Sequence, residues 1–201
     1  MSGPGLEPAG ELYMWLAAAL DQPDMALLHA DFADLGLVAA LDLEPAADLP
    51  ATTALAEQPP ADDQYLLALH QEYARLFIGP PQALLLPYES CAEGERQLMG
   101  PSSLAVQEFY AAAGIRFDPD VCQEAPDHIV VELQALALIC TAPGDHSFRQ
   151  RRDLERHFLH HHLGRWAPSF ASRLRALSEV PLYLAVAELL ELVVARRGGD
   201  D

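Results

Sequence analysis

The chain contains no lysine: its twelve basic residues are all arginine, set against thirty acidic residues for a formal charge of −18 at pH 7. A surface of that sign repels a phosphate backbone, so nucleic acid is not an expected partner. The same field attracts and steers basic peptides and proteins, although acidity also serves solubility alone. Cysteine is scarce as well. Cys91, Cys122 and Cys140 are odd in number, far apart and without a C-x-x-C pair, which argues against a disulfide framework and a zinc site. No basic-then-apolar leader opens the chain and no apolar run approaches transmembrane length, so direct membrane insertion is not expected and a reduced, cytoplasmic setting is. A glycine-rich phosphate loop, a dinucleotide fingerprint and a G-x-S-x-G elbow are all missing. No segment alternates in the manner of a strand.

What is present is helical. The 201 residues are 51% hydrophobic, enough for a proper core, and leucine and alanine dominate. The pattern predicts an all-α fold with one globular domain over residues 11–197, long proline-containing loops, and tails at 1–10 and 198–201. Leu12, Trp15, Leu16 and Ala19 start a first helix, and a second is expected over Asp24–Leu35. A short helix flanked by loops is expected within Leu43–Pro60. Asp62 or Asp63 caps a helix with Leu66, Leu69, Tyr73, Leu76 and Phe77 at helical spacing, stopped by Gly79-Pro80-Pro81. Helical pattern returns at Glu93–Met99, and Ser102 or Ser103 caps Leu104–Ala113. Ile129–Cys140 is apolar on almost every side and belongs at the centre of the molecule. Helices over Arg149–Leu163, from Pro168 to Leu177, and from Pro181 onward complete the chain. The last carries the stripe Leu182, Val186, Leu189, Leu190, Val193 and Val194.

Several residue groups invite a chemical reading. His157 and His161 stand four apart on one helix face, but no nearby ligand completes a recognised metal motif, so no metal is expected. Ser90 or Cys91 with His128 can in principle form a nucleophile–base pair across two loops. Glu89 and Asp127 can pair as carboxylates, or serve as helix caps. Nothing beyond these supports catalysis, and the expectation is a protein that is not an enzyme and holds no cofactor.

Three segments carry a family signature in order: Tyr73-Ala74-Arg75-Leu76-Phe77-Ile78-Gly79-Pro80, Pro87-Tyr88-Glu89-Ser90 and Pro126-Asp127-His128-Ile129-Val130-Val131-Glu132-Leu133. With Phe158–Phe170 and Pro181-Leu182-Tyr183, they resemble the TorD/DmsD family of cytoplasmic molybdoenzyme maturation chaperones, from about Leu12 to Val194. The chain departs from the family pattern at Glu124-Ala125 and Gln134-Ala135, which puts the identity of a particular client in doubt. The resemblance implies an all-helical chaperone that binds the apo-form of a molybdopterin oxidoreductase, commonly through its amino-terminal twin-arginine signal peptide. Such a protein assists cofactor insertion and delays export. Pro87, Tyr88, Glu89, Ser90, Asp127 and His128 become the expected client-binding residues, and Asp127 alternatively caps the helix that follows it. Glu132, inside the apolar helix, is expected to make a buried structural hydrogen bond. A monomer or a segment-swapped dimer is compatible with long loops. The competing classes are a helical adaptor for a folded partner and a nucleotide-hydrolysing switch.

Overall fold

The computed structural model describes residues 8–23, 49–57, 62–79, 85–92, 94, 100–141 and 147–199. Among these residues the regular structure is helical, apart from one isolated antiparallel bridge between Tyr88 and His128. The elements are α1 (Pro8–Leu20), α2 (Pro50–Ala56), α3 (Asp63–Tyr73) running into a π-turn at Ala74–Ile78, α4 (Glu89–Ala92) and α5 (Pro101–Ala112). They continue with α6 (Ile129–Thr141), α7 (Phe148–His161), α8 (Leu163–Leu177) and α9 (Pro181–Arg197). The all-α reading holds.

Two helices form the centre. In α6, every residue from Ile129 to Ala137 except Gln134 is buried, as a sequence apolar on almost every side demands, and Glu132 is buried with its apolar neighbours. Helix α1 lies along it and α7 packs on another side. At Gly10 an added Cβ would stand 2.3 Å from Thr141 Cγ2, so the close approach of α1 to the end of α6 depends on glycine. Helix α9 is the second centre. It contacts α8, α2, α1 and α7, and it buries Tyr183, Ala185 and Ala187 in addition to most of its expected stripe.

The ends of the helices follow local chemistry. Asp62 caps α3 by accepting from the Tyr65 N–H at 2.8 Å, and proline opens α2, α5 and α9 where its missing N–H costs nothing. Ser147 and Gln150 form a reciprocal capping box at the start of α7. The cap of α2 comes from elsewhere in the chain. Glu188 on α9 accepts from the Ala51 and Thr52 N–H groups at 3.0 and 2.9 Å, and from the Thr52 hydroxyl.

Four boundaries differ from the sequence expectation. Helix α1 starts at Pro8, so the last three residues of the expected tail are helical and Ala9 and Gly10 are buried. Helix α5 starts at Pro101 with Gly100 before it, which leaves Ser102 and Ser103 in the first turn rather than at the cap. An additional turn, α4, begins at Glu89. Pro168 lies inside α8, which starts at Leu163 because the chain breaks sharply at His162 (φ −126°, ψ −103°). A Cβ on Gly164 would stand 2.2 Å from the Leu159 carbonyl oxygen, so glycine lets the chain turn there. The bond that Pro168 cannot give is offset by burial of Trp166, Ala167, Phe170 and Ala171. The expected helix over Asp24–Leu35 and all but Gly94 of the segment Glu93–Met99 lie outside the described residues.

Candidate functional site

Two loops meet where α4 and α6 begin. The Glu89 N–H donates to the Asp127 carbonyl at 3.0 Å and the Ile129 N–H to the Pro87 carbonyl at 2.8 Å, pairing Tyr88 with His128. Both helix starts have free N–H groups to satisfy. Asp127 Oδ2 accepts from the Ser90 N–H at 3.0 Å, and His128 Nδ1 accepts from the Val130 N–H at 3.2 Å. Asp127 therefore caps α4 across the bridge, and His128 serves α6. From below, the Tyr110 hydroxyl donates to the Pro126 carbonyl at 2.9 Å.

The bridge brings together all six residues singled out by the sequence. Pro87, Glu89, Ser90, Asp127 and His128 are buried, and Tyr88 is half-buried. Ser90 Oγ makes no hydrogen bond, so Ser90 and His128 are not a nucleophile–base pair. Beneath the bridge, Glu132 and Glu89 are buried with Asp127. Trp166 Nε1 donates to Glu132 Oε2 at 3.4 Å, and His162 Nδ1 lies 3.3 Å from Glu89 Oε2. Burial, reinforced by the charge of Glu89, pushes the Glu132 carboxyl well above the usual carboxylate range. Glu132 thus sits between α6 and α8 as a structural group whose neutral form burial favours.

The solvent side of the bridge has a different character. The Tyr88 hydroxyl donates to Glu124 Oε2 at 2.7 Å, and its ring meets His128 edge-on with centroids 4.8 Å apart. His128 Nε2 lies 3.9 Å from the same Glu124 oxygen. The charges of Glu124 and Asp21 act on both His128 and Tyr73. Residues from the end of α1, the end of α3 and the two loops therefore surround one acidic patch with aromatic edges. Burial outweighs these charges and lowers the His128 pKa, so its imidazole is neutral at pH 7. Carboxylates beside tyrosine rings suit a guanidinium, which takes charge-assisted hydrogen bonds at its edge and stacks on its face.

Asp21 and Glu124 were not among the candidate site residues of the sequence. Asp21 follows a helix whose other positions are mostly core, and only its place in the fold sets it beside Tyr73. Conversely, Leu76 is buried, and Phe77 packs against Tyr73, Phe170 and Tyr183, so these two serve the core. The histidines divide similarly. His157 stacks on Phe109 and lies 4.3 Å from the ring of His161, whereas His162 turns inward to Glu89. Among the described residues no group of three or more His, Cys, Asp or Glu side chains is arranged to hold a metal ion, and no helix is long and apolar enough to cross a membrane.

Residues 39–172 match the model of the nitrate reductase delta subunit family. The chain is 26% identical over 196 residues to the chaperone protein TorD of Vibrio cholerae serotype O1 strain M66-2, covering 91% of this chain and 87% of that one. A TorD chaperone from Psychrobacter is 29% identical, with 81% and 72% covered. The chlorate reductase assembly chaperone of Ideonella dechloratans is 34% identical over 54% of this chain and 58% of its own. A redox enzyme maturation protein of Archaeoglobus fulgidus has the same fold, with a TM-score of 0.56, 23% identity and 95% of each chain covered.

Proposed function

The chain belongs to the nitrate reductase delta subunit family of redox-enzyme maturation chaperones, and on that premise we propose that it holds the apo-form of a molybdopterin oxidoreductase by the arginine pair of its amino-terminal signal peptide. Binding at that point delays export and keeps the client open for cofactor insertion in the cytoplasm. The supporting observation is the patch formed by Asp21, Glu124, Tyr73 and Tyr88 above the bridge. It offers two exposed carboxylates and two phenol rings, in a protein whose net charge draws a basic segment toward it. Tyr88 touches the client. Pro87, Glu89, Ser90, Asp127 and His128 hold Tyr88 and the loop of Glu124 in place. This division gives the six residues of the sequence motif two roles rather than one.

The test is a titration of the purified protein with a twin-arginine peptide and with its twin-lysine counterpart. Saturable binding that prefers arginine supports the reading, because only the planar guanidinium both stacks and pairs in fixed geometry. Absence of binding to either peptide overturns it. Equal retention of the apo and cofactor-loaded client in a pull-down overturns the maturation role and leaves a simple adaptor.

A further inference from the structure

Between Glu155 and Glu179 the chain carries no acidic residue, although it has thirty in all. Helix α8 falls within that stretch. It turns Arg165, Ser169 and Arg173 to solvent, each four residues and so about one turn from the next. These three stand at the exposed edge of a pocket of about 290 Å³. The buried rings of Trp166 and Phe170 form its floor, edge to face with centroids 5.6 Å apart. Trp166 is fixed from behind by its hydrogen bond to Glu132. The facing wall comes from the segment 85–92, where Leu86 is 43% exposed. The same segment sends Tyr88 to the bridge, so one stretch of chain serves both the acidic patch and this pocket.

Spacing and charge identify the occupant. Eight residues of α-helix advance about 12 Å, which separates the Arg165 and Arg173 positions with Ser169 midway. An extended peptide advances about 3.3 Å per residue and points alternate side chains the same way, so its residues i, i+2 and i+4 share one face over about 13 Å. A segment of the pattern acid–x–apolar–x–acid therefore sets two carboxylates against the two arginines and its middle side chain over the Trp166–Phe170 floor. Each guanidinium can take a carboxylate through two parallel N–H bonds, and the aromatic floor shields the apolar side chain from water. A small oxyanion would span only one of the arginines and leave that floor bare. Elsewhere the charge of −18 repels an acidic peptide, and this acid-free face is complementary to one. We propose that the pocket binds an extended acidic segment of the client polypeptide, outside its signal peptide, an inference that rests on the function proposed above. The client is then held at two points of opposite charge, its basic leader on the Asp21–Glu124 patch and an acidic segment on α8.

The test titrates the full chain with an end-blocked Gly-Glu-Ala-Leu-Ala-Glu-Gly peptide and, separately, with the twin-arginine peptide. Wild type binds both without competition between them. Replacing both glutamates of the acidic peptide by glutamine, or its leucine by glycine, weakens it. Arg165→Gln and Arg173→Gln each weaken it about two- to fivefold, and the double variant about tenfold, while the twin-arginine peptide is unaffected. Far-UV circular dichroism and thermal unfolding like those of wild type confirm that the variants fold. In a pull-down, client lacking its signal peptide is retained by wild type and lost from the double variant. Wild type that binds the twin-arginine peptide but not the acidic one overturns the pocket and leaves the proposed function standing. Undiminished acidic-peptide binding by the double variant, or no retention of the truncated client, likewise overturns the inference. Displacement of the acidic peptide by inorganic phosphate at equal concentration assigns the pocket to a small oxyanion and overturns it too. Loss of the twin-arginine peptide alone overturns the proposed function, and with it the client as the source of the acidic segment.

Discussion

Asp127 caps a helix that is not the one it precedes: its Oδ2 accepts from the Ser90 N–H at 3.0 Å, thirty-seven residues away. A side chain at that position in sequence would ordinarily serve α6. The bridge between Tyr88 and His128 instead sets the starts of α4 and α6 side by side, so that Asp127 caps α4 across the loops while His128 serves α6 itself. Asp127→Ala removes the acceptor from a buried N–H and is expected to lower stability by ~1–3 kcal/mol in urea denaturation. Asp127→Asn keeps an oxygen in place and is expected to cost about 1 kcal/mol or less. If both variants unfold like wild type but lose peptide binding, Asp127 is a client contact and not a brace.

A second cap from a distance is Glu188, which closes the amino end of α2 from the middle of α9. Glu188→Ala frees two N–H groups and one hydroxyl together. The expected loss is ~1–2 kcal/mol. Protease sensitivity around residues 50–56 should rise with it, and an unchanged cleavage pattern would show that α2 is held by packing alone.

Glu155 is fully buried, and it accepts from Tyr13 at 2.7 Å, from Arg152 and from Arg197. It joins α1, α7 and the end of α9. Burial pushes its pKa up, but the Arg197 hydrogen bond and charge, with Tyr13 and Arg152, together hold it below the usual carboxylate range. Glu155→Ala leaves the arginines facing one another at a buried site, and the expected cost is ~3–5 kcal/mol. The sign of the pH effect follows from the lowered pKa. Stability from this group is complete above the unfolded carboxylate pKa and is lost as pH falls through the folded value. The Tm of the wild type should therefore decline below that range more steeply than that of the variant.

The helices that were legible in the sequence are those whose burial is written in composition or period. Ile129–Cys140 could only be a central helix, and Leu182–Val193 only a packed one. What stayed hidden depends on residues distant in sequence. Nothing local distinguishes Glu155 from a surface residue of a polar-faced helix, because its partners Tyr13 and Arg197 lie 142 and 42 positions away. The π-turn at Ala74–Ile78 continues a helical pattern and so reads as more α-helix. The motif residues were found, but not their depth: apolar neighbours predict burial statistically, whereas the bridge that sinks Glu89 and Asp127 is made by backbone groups common to every sequence. Asp21 completes the patch through tertiary placement alone.

Glu132 gives the opposite pH signature to Glu155. Its folded pKa is raised by burial and by Glu89, so its contribution to stability is complete below the unfolded carboxylate pKa and is lost as pH rises toward the folded value. Glu132→Gln keeps an acceptor for Trp166 and cannot ionise. Its Tm should therefore match wild type at low pH and exceed it progressively as pH rises. Parallel curves across the range would show that Glu132 is ionised in the native protein and held by a partner.

The exposed patch carries the last prediction. Asp21 and Glu124 act through charge at the surface, where each is worth little alone and is screened by salt. Asp21→Asn and Glu124→Gln should each weaken the twin-arginine peptide about two- to fivefold at low ionic strength, and the double variant should flatten the salt dependence of binding. Tyr88→Phe removes the hydroxyl that orients Glu124 but keeps the ring, so it should reproduce part of the Glu124→Gln loss and add little to it in the double variant. Fully additive effects of Tyr88→Phe and Glu124→Gln would mean that the two residues contact the peptide independently. The hydrogen bond between them would then be incidental to binding.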